Sequence, residues 1–177
     1  MCIRDRKYNA NVAVHAVHEV GLHLTYDTVK ECLEHVKWPG RFENVGDDDC
    51  PIVLDGAHNP QAARALVETW KESFGERKAV LIFGAVEEKD VKGVLSCFSE
   101  IIQEVILTPI CSPRALSTDK LMECIEKGVE VRAAKDLKEA WQCAKEIKQP
   151  VLIAGSLFLV GEVKAMLEGE GFQASSQ

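Results

Sequence analysis

Residues 51–60 read Pro51-Ile-Val-Leu-Asp-Gly-Ala-His-Asn-Pro60, and the architecture expected of the whole chain follows from them. The apolar run has the composition of a fully buried strand. The glycine permits a sharp turn, and the final proline suits the first turn of a helix, which we predict over residues 61–73. Ligands bind at the carboxyl ends of strands in a parallel α/β sheet. We therefore expect Asp55 and His58 at the rim of a crevice, although the same residues also fit an ordinary strand–loop–helix connection.

Apolar runs and helical periodicity alternate along the rest of the chain. Strands are predicted at residues 42–45, 52–54, 79–83, 104–107, 129–132 and 151–154, and further helices at residues 91–102, 118–127, 137–147 and 157–167. This alternation predicts an α/β fold, in which helices cover both faces of a Rossmann-like, mostly parallel sheet. Right-handed crossovers would bring the loops that follow the strands to one edge of the sheet.

The amino-terminal part has a different pattern. Residues 8–20 and 25–36 have helical periodicity, with Val29, Cys32, Leu33 and Val36 as the predicted buried face of the second helix. Such a pair is too small to bury a core. We therefore predict four regions: residues 1–37 as a helical remnant of an upstream domain, 38–41 as a linker, 42–168 as the main domain and 169–177 as a frayed tail.

Composition limits the classes of function. The 177 residues are 46% hydrophobic and 28% charged, as in soluble globular proteins, and the net charge of −7 argues against nucleic acid or a membrane as partner. Seven widely spaced cysteines form no Cys-x-x-Cys pair, which favours reduced thiols. Residues 1–6 lack the apolar core of a secretory signal. We predict a monomer in the cytoplasm.

Three ordered segments resemble one family. They are residues 38–43 (WPGRFE), 54–60 (LDGAHNP) and 155–163 (GSLFLVGEV). All three are similar to the carboxyl-terminal domain of folylpolyglutamate synthase/dihydrofolate synthase, a member of the Mur ligase superfamily. The resemblance, which spans about residues 9–167, implies an ATP-dependent ligase that joins L-glutamate to folate or dihydropteroate through an acyl phosphate.

The resemblance also implies a missing partner. The sequence contains no Gly-x-x-x-x-Gly-Lys-Ser/Thr phosphate loop. In the family, that loop and the Mg²⁺ ligands belong to a preceding ATPase domain, so we assign no metal ligand to this chain. We expect the domain described here to close over ATP bound by that upstream domain, and we expect the chain alone to be inactive.

Four residues correspond to family positions near the nucleotide. Asn9, in Asn-Ala-x-x-Ala, corresponds to a contact with the base of ATP, but its position also fits a helix N-cap. Arg41 corresponds to the arginine that reaches the nucleotide, whose guanidinium can hold phosphate oxygens in a fork, or it is a surface arginine beside the linker. Asp55 corresponds to an ATP contact through the ribose hydroxyls, or is a helix-cap or loop acid. His58 is the predicted catalytic residue, close to the phosphates or the incoming glutamate, or it is structural.

Two further residues are predicted to bind the substrate. Arg114 corresponds to a loop arginine of the family that faces the glutamate carboxylates, and a solvated loop arginine is the alternative. Ser156 stands between a strand and the last helix, where backbone N–H groups can hold a carboxylate or phosphate, and a simple N-cap is the alternative.

Two other functions compete with the folate ligase. One is a Mur ligase that joins an amino acid to a cell-wall nucleotide precursor, although residues 38–41 and 155–161 are more similar to the folate branch. The other is a non-catalytic Rossmann-like ligand-binding module. The sequence lacks Gly-x-Gly-x-x-Gly, which weakens the dinucleotide version of that module.

Overall fold

The structure is a computed structural model that describes residues 3–169, with side chains described from residue 8 onward. The helices of this range are α1 (Ile3–Glu19), α2 (Tyr26–His35), α3 (Pro60–Phe74), α4 (Val91–Phe98), α5 (Thr118–Met122), α6 (Leu137–Ile147) and α7 (Leu157–Glu168). Its strands are β1 (Glu43–Asn44), β2 (Ile52–Leu54), β3 (Ala79–Phe83), β4 (Ile102–Leu107), β5 (Glu130–Ala133) and β6 (Val151–Ala154). Of the predicted tail, Gly169 caps α7 and residues 170–177 lie outside the described residues.

The strands form a single mixed sheet in the order β1-β2-β6-β3-β4-β5. Only β1, at one edge, is antiparallel to its neighbour, and β2 through β5 in this order are parallel. The last strand, β6, returns to the middle of the sheet and lies between β2 and β3. The predicted mostly parallel α/β fold is therefore confirmed.

Residues on opposite faces of the four central strands, β2, β6, β3 and β4, bury into two separate cores. On β3, Leu81 and Phe83 contribute to the core under α3, α4 and α5, whereas Val80 and Ile82 contribute to the core under α6 and α7. This alternation is the pleat of a strand that is covered on both faces. Helices therefore pack on both faces of the sheet, as predicted.

Two predicted helices are shorter in the structure. The helix predicted over residues 91–102 ends at Phe98, because the Ile101 N–H donates to the Phe98 carbonyl in a turn and the chain then enters β4. The helix predicted over residues 118–127 ends at Met122 and continues as turns. In both cases apolar residues that fit a helical period bury through strand or turn positions.

The amino-terminal helices differ most from prediction. No residue of α2 is buried, and of its predicted buried face Leu33 and Val36 are 47% and 56% exposed. The amphipathic pattern is present, but a two-helix unit offers too little apolar surface to cover it. The N-cap alternative for Asn9 is also wrong, because α1 begins at Ile3 and Asn9 lies inside it.

Within residues 3–169, none of the helices combines the length and the apolar character needed to cross a bilayer.

Candidate functional site

Asp55 and Ser156 follow neighbouring parallel strands, β2 and β6, and lie at the same edge of the sheet. The Asp55 N–H donates to the Ile153 carbonyl at 3.0 Å, and the Gly155 N–H donates to the Ala57 carbonyl at 2.9 Å. The two loops therefore continue the pairing of their strands beyond the sheet. This carboxyl edge is where a doubly wound sheet binds ligands.

The carboxylate of Asp55 is 3% exposed and already has two partners. Oδ2 accepts from the Phe42 N–H and Oδ1 from the Ala57 N–H, both at 2.8 Å. Burial raises the pKa of Asp55 above its usual value, although these two hydrogen bonds and the charge of Arg41 oppose the shift. Asp55 thus fixes the backbone of the site, and any contact with ribose would use its remaining lone pairs.

Arg41 is half-buried and is held at this edge by its own backbone. The Gly40 carbonyl accepts from the Gly56 N–H at 2.9 Å, and the Arg41 N–H donates to the Trp38 carbonyl at 3.2 Å. A side chain at Gly56 would clash with Arg41 Nη1 and with Leu157. Gly40, predicted as linker, is therefore hydrogen-bonded to the sheet domain, and the Arg41 guanidinium lies beside Gly56.

A pair of charges that the sequence did not reveal completes this corner of the site. Glu43 Oε2 accepts from the Gly40 N–H at 2.7 Å, and Oε1 lies 2.5 Å from Nζ of Lys164 on α7. Burial alone would raise the pKa of Glu43, but the hydrogen bonds from Lys164 and Gly40 outweigh it and lower the pKa. Glu43 belongs to the motif at residues 38–43, yet nothing local indicates a partner so distant in sequence.

His58 has a defined hydrogen bond. Its Nδ1 lies 2.8 Å from the Gly56 carbonyl oxygen. Because a carbonyl only accepts, Nδ1 must carry the proton, and Nε2 of the neutral ring is left as an acceptor. The ring is partly exposed, and its position after β2 is compatible with either the structural or the catalytic role.

Ser156 is the N-cap of α7, which is the simpler of its two predicted roles. Its Oγ accepts from the Phe158 N–H at 3.1 Å, and the residue is 4% exposed. Gly155 before it has a φ of +107°. Anion binding here would use backbone N–H groups at the start of α7 more than the occupied hydroxyl.

Arg114 lies at the same edge but farther along it. Its loop follows β4, which is three strand positions from β2, or about 14 Å at the usual strand spacing. The Arg114 side chain is exposed, and its carbonyl accepts from the Glu87 N–H at 2.9 Å. The structure therefore groups Arg41, Asp55, His58 and Ser156, and places Arg114 on another part of the edge. Asn9 is at an exposed position of α1.

Glu162 is a second acid that links distant segments and that sequence reasoning did not single out, although it falls inside the motif at residues 155–163. Its Oε1 accepts from the Cys111 N–H at 2.6 Å and so ties the loop after β4 to α7. Burial raises the pKa of Glu162, and the hydrogen bond from Cys111 opposes the shift.

The described residues offer no metal site of their own. Among them, no three His, Cys, Asp or Glu side chains group in a way that could hold a metal ion. The described residues of the carboxyl edge therefore do not fit a Mg²⁺ site by themselves.

Comparison with known proteins identifies the family. The profile of the Mur ligase, glutamate ligase domain, matches residues 40–157. The chain belongs to this family. Folylpolyglutamate synthase of Lacticaseibacillus casei is 32% identical over 153 residues, which cover 82% of this chain and 33% of that protein. The dihydrofolate synthase/folylpolyglutamate synthase of Escherichia coli is 24% identical over 163 residues, covering 90% of this chain and 38% of that protein. The chain thus spans between a third and two-fifths of the length of these relatives.

Solved structures show the same fold in this family. A Mycobacterium tuberculosis folylpolyglutamate synthase complexed with ADP and AMPPCP superposes with a TM-score of 0.78 at 28% identity, over 89% of this chain and 38% of that one. A bifunctional folylpolyglutamate synthase/dihydrofolate synthase with Mn, AMPPNP and L-glutamate bound gives 0.78 at 32% identity, over 88% and 38% of the two chains. This family domain therefore occurs within ligases that bind nucleotides, a metal and glutamate.

Proposed function

We propose that this chain is the carboxyl-terminal part of an ATP-dependent ligase that adds L-glutamate to folate or dihydropteroate. The observation that carries the proposal is the grouping of Arg41, His58 and the loop after β6 at one carboxyl edge, next to the start of α7. The names of the relatives support the folate branch over the cell-wall branch.

The chemistry required is amide formation. Hydroxide is a poor leaving group, so ATP first converts the folate carboxylate into an acyl phosphate. The amine of glutamate then attacks the carbonyl carbon, phosphate leaves, and the amine gives up a proton. A preceding ATPase domain would supply the phosphate loop and the Mg²⁺ ligands, and closure over that domain would exclude water from the acyl phosphate.

The proposed roles follow from where each group lies relative to the carboxyl edge of the sheet. The Arg41 guanidinium holds phosphate oxygens of ATP, and Asp55 mainly fixes the backbone around Arg41. His58, with its proton on Nδ1, presents Nε2 as the acceptor for the proton of the glutamate amine. Arg114 and the backbone at Ser156 face the carboxylates of glutamate, and Asn9 contacts the base.

The complete enzyme is proposed to work as a monomer in the cytoplasm and to use ATP.

The deciding experiment uses the complete polypeptide that contains this chain. Release of ADP should require folate or dihydropteroate together with glutamate. Arg41→Ala should raise the KM for ATP by about ten- to hundredfold, since a charged hydrogen bond is worth roughly 1.5–3 kcal/mol. Arg64→Ala removes an exposed arginine of α3 and is the matched control. ADP release that is independent of both substrates would overturn the proposal.

A further inference from the structure

Glu43 joins the segment before Arg41 to the last helix of the domain. One carboxylate oxygen accepts from the Gly40 N–H at 2.7 Å, and the other lies 2.5 Å from Nζ of Lys164. Both side chains are about one-quarter exposed, at 26% and 27%, so water competes only partly for these contacts. We call Gly40, Glu43 and Lys164 the clasp.

The clasp acts on a backbone that is fixed on both sides of Arg41. Before Arg41, the Gly40 carbonyl accepts from the Gly56 N–H at 2.9 Å, and after it the Phe42 N–H donates to Asp55 at 2.8 Å. Gly40 has a φ of +67°, and a Cβ there would lie 2.9 Å from Cγ1 of Val160. Gly40 therefore packs directly on α7, and Glu43 holds its amide in this unusual conformation.

The two charges of the clasp have different tasks. The carboxylate of Glu43 supplies the acceptor for Gly40, whereas Lys164 draws the second oxygen toward α7 and so orients the first. Without Lys164, a partly exposed glutamate on the edge strand β1 can rotate into solvent. Lys164 thus orients the Glu43 carboxylate, and Glu43 fixes the backbone of Gly40. The position of Gly40 in turn sets the position of the Arg41 backbone.

We propose that Glu43 and Lys164 are positioning residues that hold Arg41 in the orientation required to bind the phosphates of a nucleotide. The inference rests on the role proposed for Arg41 and extends it to two residues that do not touch the nucleotide. Removing the hydrogen bond or the ion pair of the clasp should weaken nucleotide binding and leave the rate of the chemical step nearly unchanged.

The kinetic test uses the complete ligase and a graded series of variants. Glu43→Gln keeps an acceptor for the Gly40 N–H and loses the ion pair. Lys164→Met also loses the ion pair, and it leaves the Glu43 carboxylate in place as the acceptor for Gly40. Each should raise the KM for ATP about three- to tenfold, while kcat changes by less than about twofold. Glu43→Ala removes both contacts and should have the larger effect. Lys164→Arg keeps the charge and should restore a KM near that of the unaltered enzyme.

Glu100→Gln is the matched control. It breaks the ion pair between Lys71 on α3 and Glu100, on the far side from the clasp, and should leave both kinetic constants unchanged. A second readout does not depend on activity. Amide hydrogen exchange of Gly40, followed by NMR in the 177-residue chain, should be slow in the unaltered protein and in Glu100→Gln, faster in Lys164→Met and fastest in Glu43→Ala.

Two outcomes overturn the proposal. The first is faster exchange at Gly40 in Glu43→Ala with no change in the KM for ATP. The second is a loss of kcat, in place of a rise in the KM for ATP, in Glu43→Gln, Glu43→Ala and Lys164→Met, with Lys164→Arg equally impaired. That result would make the clasp purely structural. If the complete ligase shows no folate- and glutamate-dependent turnover, or if Arg41→Ala leaves its ATP kinetics unchanged, the proposed function fails instead. Amide exchange at Gly40 separates the two cases, because it reports whether Glu43 and Lys164 hold the Gly40 backbone whether or not the ligase is active.

Discussion

Asp55 Oδ2 lies 2.8 Å from the backbone nitrogen of Phe42, and this hydrogen bond attaches the segment before β1 to the end of β2. Phe42 has a φ of +48°, a left-handed conformation that costs a non-glycine residue roughly 1–2 kcal/mol. The ring of Phe42 stacks on Phe74 with a centroid separation of 5.9 Å. The buried carboxylate and the ring contact together hold a strained residue next to Arg41.

Asp55→Ala should therefore destabilise the domain. It leaves the Phe42 and Ala57 N–H groups without their acceptor, at about 1–3 kcal/mol for each buried donor. Urea unfolding of the 177-residue chain measures this loss. Asp90→Ala is the control, because Asp90 caps the exposed start of α4 and its loss should cost only about 1 kcal/mol. Equal effects of the two substitutions would contradict the role given to Asp55.

Gly40→Ala should destabilise more than a substitution at a similar but open glycine. The new methyl group would lie 2.9 Å from Val160 Cγ1 at a φ of +67°. Gly128 has a φ of +97°, and a Cβ added there would meet no atom within 4 Å, so Gly128→Ala carries only the backbone strain of about 1–2 kcal/mol. Melting temperatures of the two variants separate steric contact from strain. A drop in Tm at Gly128 as large as that at Gly40 would refute the close packing on α7.

Glu162→Gln should change the pH dependence of stability. The pKa of Glu162 is raised above 4.5 by burial, so ionising it costs folding free energy. That cost is absent below about pH 4.5 and complete above the raised pKa. Glutamine keeps an acceptor for the Cys111 N–H and has no charge to bury. Relative to the unaltered chain, Glu162→Gln should therefore gain stability as pH rises from about 4.5 toward neutrality.

Glu43→Gln should change the pH dependence of stability in the opposite direction to Glu162→Gln. The pKa of Glu43 is lowered, so its ionised form stabilises the fold above pH 4.5, and this stability disappears as pH falls through the lowered pKa. Compared with the unaltered chain, Glu43→Gln should be less stable near neutrality, and the difference should shrink in acid. Thermal unfolding between about pH 3 and 7 tests both variants, and a pH-independent difference for either would contradict the assigned shift.

Arg132→Ala should lower the stability of the domain, because it leaves the buried carboxylate of Glu104 without its partner. Glu104 on β4 is 4% exposed, and its Oε1 lies 2.5 Å from Nε of Arg132 on β5. Removing the arginine leaves the carboxylate buried without its counter-charge, which costs about 3 kcal/mol. Replacing Glu104 by leucine in the same variant should recover most of that loss. If urea unfolding finds the double variant less stable than Arg132→Ala, the burial penalty is not the cause.

The 177-residue chain should show no ATP turnover in the presence of folate and glutamate. Phosphoryl transfer depends on a phosphate cradle and its metal, and the chain has neither a phosphate-loop sequence nor, among its described residues, a metal site. Coupled measurement of ADP release tests this. ADP release that requires both folate and glutamate would show that the chain contains a catalytic centre of its own.

The alternation of strands and helices from β2 onward was predictable because it depends on local patterns. Asn59 and Pro60 begin α3 through a side-chain cap and a fixed φ, and both effects operate within one turn of the chain. The grouping of Asp55 and Ser156 also followed, since parallel strands place their carboxyl ends at one edge. The end of α4 was less predictable, because Ile101 and Ile102 fit both a helical period and a buried strand.

Pairings between distant segments were beyond the reach of these patterns. The insertion of β6 between β2 and β3 depends on how all the strands share one sheet, and no local spacing encodes it. The amphipathic pattern of α2 predicted burial that the fold does not provide, because burial needs a facing surface as well as an apolar stripe. Asp55 was predicted from its position to be open to a ligand, yet the tertiary structure occupies it with two backbone amides. The contact of Glu43 with Lys164 likewise exists only because β1 and α7 meet beside Gly40, and a side chain's partner is set by proximity in space.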